Sequence, residues 1–130
     1  MRNAELAMEY HAKGCNCAQS VALSFLKETK LSEEELFKAT EAFGLGMGSE
    51  KGTCGALSGA LVILGFLSSS GTYKNVSKKE TYQKAAKLCD RFDEIVGNTI
   101  CGKIKQSESS CPFCIQTACT LLEDIANVID

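Results

Sequence analysis

Residues 54–70 read CGALSGALVILGFLSSS, and the fold turns on how this stretch is read. From Cys54 to Leu67 it carries no charged residue. At about fourteen residues it is too short to cross a bilayer, which takes about 20. It shows no strand-like alternation, and a helix that is apolar on every side belongs in a protein interior. The stretch is therefore predicted to be a buried central helix. Gly55 and Gly59 lie four residues apart, on one face, where missing side chains let a neighbouring backbone or a cofactor approach closely.

The segments on either side read as further helices. AELAMEYHAK (residues 4–13) is stopped by Gly14. NCAQSVALSFLKET (16–29) has Asn16 as its N-cap and Val21, Ala22, Phe25 and Leu26 on one face. LSEEELFKATEAFG (31–44) opens with a Ser32/Glu35 capping box and places Gly44 at C′. The glycine-rich GLGMGSEKGTCG (44–55) lacks the glycine and lysine order of a phosphate loop. It is read instead as a pliable approach to Cys54. SKKETYQKAAKLCDRFDEIVG (77–97) is a long amphipathic helix ending near Gly97, and CPFCIQTACTLLEDIANVID (111–130) is the last. With one proline and no linker or repeat, the expectation is an all-α chain. It is read as a single domain over residues 1–130, an antiparallel bundle of about five to six helices.

Composition narrows the function. A chain of 130 residues buries a core without disulfide staples, so its eight cysteines need another explanation. No apolar leader follows Met1, which gives a cytoplasmic expectation, with thiols reduced by default and no transmembrane segment. Excess cysteine in that setting signals metal binding or redox chemistry. A net charge of −2 with scattered lysines excludes a nucleic-acid partner.

Position sorts the cysteines. Cys17 follows Asn16, Cys54 follows Thr53 and Cys111 follows Ser110, so each is expected in the first turn of a helix after a capping residue. Free amides and the positive end of the macrodipole favour a thiolate there. Cys101, in the turn-rich joint GNTICGKI, can reach the same point. Cys17, Cys54, Cys101 and Cys111 are thus the candidate redox thiols and, read alternatively, the candidate metal ligands. Cys114 and Cys15 are secondary candidates. Cys89, among Ala85, Ala86, Leu88, Phe92 and Ile95, and Cys119, among Ile115, Ala118, Leu122 and Ile125, read as core residues. The Cys111/Cys114 C-x-x-C pair has no preceding strand for a thioredoxin fold and, with Ile115 next, no haem-attachment motif. It also lacks the second knuckle of a zinc ribbon. His11, the one histidine, is read as a surface residue.

NCAQSV, GTCGALSGALVILG, the isolated Cys101 and CPFCIQTACTLLEDI together resemble the C_GCAxxG_C_C family of redox-active proteins, over residues 16–123. The family's central motif stands here as Cys54-Gly55-Ala56-Leu57-Ser58-Gly59, with the first two letters of the label transposed. The resemblance implies that Cys17, Cys54, Cys101 and Cys111 are the family's four cysteines, the others being additions. It also implies kinship with a domain of split-Soret cytochromes, hence an iron–sulfur centre without haem.

Three functions remain open at this point. The four thiols perform thiol–disulfide or electron-transfer chemistry with a redox partner protein, or they hold an iron–sulfur cluster or Zn. In the third, the chain is a structural bundle, such as a homodimer, whose cysteines only pack.

Overall fold

Capping residues set where the helices begin. In the computed structural model, which describes residues 2–128, Asn16 Oδ1 accepts the Gln19 amide at 2.8 Å and Gln19 Oε1 accepts the Asn16 amide at 3.0 Å. Ser32 and Glu35 form the same reciprocal box. Ser110 Oγ accepts the Phe113 amide, and Pro112 follows in the first turn, where a missing N–H costs nothing. Met1, Ile129 and Asp130, the ends of the segments read above, lie outside the described residues.

The elements run α1 (Arg2–Ala12), α2 (Cys17–Ser24), α3 (Glu33–Glu41), α4 (Gly44–Gly48), α5 (Gly55–Ser68), α6 (Lys78–Val96), α7 (Cys101–Lys105) and α8 (Cys111–Ile125). Short 3-10 turns stand at Leu26–Glu28 and Tyr73–Asn75. The fold is all-α. Among the described residues there is no strand, only an isolated antiparallel bridge between Thr53 and Ile100. Among the described residues six helices have eight residues or more, in line with the expected bundle; α4 and α7 are single turns.

The apolar stretch lies at the centre, as read. α5 packs against α2, α6 and α8, and its N-terminal half, Gly55 to Ala60, is wholly buried. Leu57, Ile63 and Leu64 join Phe25, Leu36, Leu88, Phe92, Ile115 and Leu122 in one core. Toward its C-terminus the helix reaches the surface, leaving Phe66 exposed. Gly55 and Gly59 face α2. A Cβ on Gly59 would run into the Ala18 carbonyl and come within 3.0 Å of Ala18 Cα. One on Gly55 would lie 3.3 Å from the Ala18 amide and 3.5 Å from Cys17 Cβ. The close approach expected at these glycines is made by a helix rather than by a cofactor.

Several local expectations are corrected. α3 stops at Glu41, and Gly44 is not its C′ residue. A side chain at Gly44 would overlap the Asn16 side chain, whose Nδ2 donates to the Glu41 carbonyl at 3.0 Å. The helix read over 16–29 ends at Ser24, where Phe25 leaves helical geometry and a 3-10 turn takes over. Cys101 is no loop residue; it opens α7. Cys54 is itself the N-cap of α5 rather than a first-turn residue behind a Thr53 cap. His11 is half-buried, with Nδ1 3.1 Å from the Cys15 carbonyl oxygen. Ile95 stands out in solvent, so the α6 face that carries Cys89 is only partly covered.

Because the α2–α5 contact has no space for a side chain, Gly59→Leu should destabilise the chain by about 1–3 kcal/mol. The drop would appear as a lower denaturant midpoint; an unchanged midpoint would contradict this packing.

Candidate functional site

Backbone pairing fixes the first two cysteines. The Cys54 amide donates to the Thr99 carbonyl at 2.6 Å, and the Cys101 amide donates to the Gly52 carbonyl at 3.0 Å. The Gly102 amide adds a bond to the Glu50 carbonyl at 2.8 Å. This antiparallel clasp joins the segment before α5 to the start of α7, so Cys54 and Cys101 enter the site from adjoining strands of chain. Lys105 and Glu50 close the clasp on the outside with an ion pair at 2.9 Å.

The glycine-rich segment supplies the floor. Leu45, Gly46 and Met47 adopt left-handed geometry, with φ of 57°, 62° and 63°. Residues with a Cβ pay for this conformation, on the order of 1–2 kcal/mol each. The turn is held by the Glu50 amide on the Leu45 carbonyl at 2.7 Å and the Gly52 amide on the Gly46 carbonyl at 3.1 Å. A side chain on Gly46 would collide with Cys101 Cβ. The pliable loop of the sequence reading is thus a shaped seat for Cys101.

Cys17 and Cys111 come to the same place as the first residues of α2 and α8. Their thiols are hydrogen-bond partners of one another. One turn along α8, Cys114 points to the same end and is the hydrogen-bond partner of Cys54. Five thiols therefore gather where α2, α5, α7 and α8 begin. They form two pairs, Cys54 with Cys114 and Cys17 with Cys111, bordered by Cys101. Exposure separates the pairs: Cys54 is 6% exposed and Cys114 2%, whereas Cys111 stands in solvent and Cys17 is half-buried.

The electrostatics differ within the inner pair. The hydrogen bond from Cys114 is the largest influence lowering the Cys54 pKa, from 9.0 to about 7, and the Ala56 and Leu57 amides at the head of α5 act in the same direction against the cost of burial. Both amides stand at the start of α5, where unpaired N–H groups and the positive end of the helix dipole favour a thiolate. Cys114 moves the opposite way. Its bond to Cys54, burial and the nearby Cys54 charge all keep its proton on. Burial, then Cys111, likewise raises Cys17. Cys101 is raised first by burial, with Lys105 opposing.

The remaining cysteines stand apart. Cys15, a secondary candidate in the sequence, is perturbed by burial, Glu33 and Lys13, and by none of the clustered thiols. Cys119 is fully buried, its sulfur 3.8 Å from Ser24 Oγ and its pKa pushed by burial to about 12. Cys89 is half-buried on α6. The sequence undervalued Cys114. Its spacing of three from Cys111 on one helix was the available signal; its contact with Cys54, sixty positions away in the chain, had none.

Soft thiolate donors suit Zn or an iron–sulfur cluster by type. Their placement does not: among the described residues no group of three or more His, Cys, Asp or Glu side chains is disposed to hold a metal ion.

A family model described as "Putative redox-active protein (C_GCAxxG_C_C)" matches residues 15–125. The chain belongs to this family. No curated protein and no solved structure matches it. The C_GCAxxG_C_C match runs from Cys15 to Ile125 and takes in all eight cysteines as well as the α2–α5 contact and the clasp. Among the described residues no helix is long and apolar enough to cross a membrane.

The thiolate absorbance assigned to Cys54, taken as wild type minus Cys54→Ser, should titrate with a midpoint near pH 7. Between about pH 7 and 9 the folded chain holds a thiolate that the unfolded chain protonates. Cys54 therefore adds stability as pH rises through that window and loses it as pH falls through about 7. In Cys114→Ala the midpoint should move up, because the leading stabilisation of the thiolate is gone. A midpoint that stays put would assign the lowered pKa to the helix terminus alone.

Proposed function

We propose that this protein is a thiol–disulfide oxidoreductase that stores two electrons in the Cys54–Cys114 pair and exchanges them with a disulfide on a partner protein in the cytoplasm. One observation carries the reading: a thiolate-prone Cys54 at the head of α5 is hydrogen-bonded to a second thiol that keeps its proton. An attacking thiolate and a resolving thiol are what a two-electron exchange requires.

The net reaction balances within the pair. The Cys54 thiolate and the Cys114 thiol lose two electrons and join as a disulfide, while the partner's S–S bond takes those electrons and separates into two thiols. One proton comes from Cys114 and one from solvent. Cys114 is protonated largely because Cys54 is charged beside it. Once the Cys54 sulfur is tied up in a mixed disulfide that charge disappears, and Cys114 is freed to act as the second nucleophile.

Equilibrating the reduced protein in glutathione buffers of rising oxidised fraction, with acid quench, alkylation and peptide mapping, tests this. A Cys54–Cys114 disulfide should appear first, with loss of two free thiols, and should be lost in Cys54→Ser. If both residues remain alkylatable at every buffer ratio, the cysteines of this site only pack and the oxidoreductase reading falls.

A further inference from the structure

The inner pair has an access problem. Attack on a disulfide needs three sulfurs nearly in line, yet Cys54 and Cys114 are both buried. The thiol that an outside disulfide can meet is Cys111, which stands in solvent. Cys111 is the hydrogen-bond partner of Cys17, and Cys17 in turn feels the charge of Cys54 across the α2–α5 contact. At Gly55 the two helix starts are so near that a Cβ would lie 3.5 Å from that of Cys17. Cys17 therefore stands between the surface and the interior.

Resting on the oxidoreductase reading above, we propose that Cys17 and Cys111 form a second, outer dithiol that relays disulfide bonds between the partner protein and the buried Cys54–Cys114 pair. Each step is a thiol–disulfide exchange. Cys111 gives up its proton, attacks the partner disulfide, forms a mixed disulfide and releases one partner thiol. Cys17 loses its proton and attacks the Cys111 sulfur, which releases the second partner thiol and leaves a Cys17–Cys111 disulfide. The Cys54 thiolate then attacks the Cys17 sulfur, and Cys111 leaves and regains a proton. Finally Cys114 gives up its proton and attacks Cys54, freeing Cys17 as a thiol. The last two exchanges move one S–S bond inward and consume no external electrons.

The pairing also opposes a short circuit along α8. Cys111 and Cys114 share a C-x-x-C spacing, but the first is turned to Cys17 and the second to Cys54. Cys101 has no thiol hydrogen-bond partner among these pairs and takes no step in the relay.

Glutathione disulfide is a suitable probe on the full chain, with rapid acid quench and disulfide mapping. In wild type the end product should be Cys54–Cys114. In Cys114→Ser the relay stalls one step earlier, so a Cys17–Cys54 disulfide should accumulate; Cys114→Ala, which leaves no buried hydroxyl, serves if the serine variant does not fold. In Cys111→Ser, formation of Cys54–Cys114 should slow by about tenfold or more, because the accessible sulfur is gone. The relay is overturned if Cys111→Ser oxidises at the wild-type rate, or if the Cys114 variants give a Cys54–glutathione adduct with no Cys17–Cys54 bond. It is overturned equally if wild type yields Cys111–Cys114. In the first two cases the Cys54–Cys114 disulfide of wild type still forms and the oxidoreductase reading stands; absence of that disulfide in wild type removes both.

Discussion

The contact between α2 and α5 is the constraint on which the rest depends. It is made backbone to backbone, with Ala18 set against Gly55 and Gly59, so that a Cβ on Gly59 would strike the Ala18 backbone and one on Gly55 would make a tight contact at 3.3 Å. Such an approach brings two helix N-termini to one place, with Cys17 on one and Cys54 on the other. It also aligns the free amides and positive dipole ends of both helices toward a common region. That end of α5 favours the charged form of Cys54, whereas burial and neighbouring thiols hold the protons on Cys17, Cys101 and Cys114. The depressed pKa of Cys54 is the local result.

The clasp and the left-handed turn complete what the helices begin. Two helices alone would leave the α5 entry loop free, and Cys101 with it. Pairing of Thr53 with Ile100 removes that freedom, and the seat at Gly46 fits only because no side chain is present. Leu45 and Met47 adopt the strained geometry with side chains half in solvent, so no burial offsets their conformational cost. The bonds from the Glu50 and Gly52 amides hold that strained geometry in place. Here its product is the position of Cys101 beside the other thiols.

How much of this was legible in the sequence depended on the range of the interaction. The buried central helix, the Asn16 and Ser32 caps, the stops at Gly14 and Gly97 and the small face at Gly55 and Gly59 are local patterns, and each appears in the fold. The gathering of Cys17, Cys54 and Cys111 was readable because each follows a residue that commonly caps helices. Thr53 failed as a cap because its backbone is engaged by the bridge to Ile100, which put Cys54 one position earlier on the helix than its pattern suggested. Cys101 looked like a loop residue because a five-residue helix is too short to leave a periodic trace. The pairing of thiols was hidden, since Cys54 with Cys114 and Cys17 with Cys111 are relations between distant segments that no spacing rule encodes. Glycine-rich residues 44–48 likewise read as flexible, because composition does not distinguish a mobile loop from one held by the bonds at Leu45 and Gly46.

Placing the low-pKa sulfur inside and an accessible sulfur outside has a chemical logic of its own. A thiolate in solvent is the form most readily carried beyond the disulfide to higher oxidation states. Burial of Cys54 denies small oxidants that route, while the bond from Cys114 and the α5 amides preserve its charge against the cost of desolvation. In the proposed reaction, stabilising the thiolate would also stabilise the reduced pair and so make a Cys54–Cys114 disulfide the more oxidising. The raised pKa of Cys114 has the same origin, since its proton is held by the Cys54 charge beside it. The two shifts are therefore one interaction seen from its two ends, and in the proposed exchange attack by Cys54 would convert Cys114 from proton holder to nucleophile.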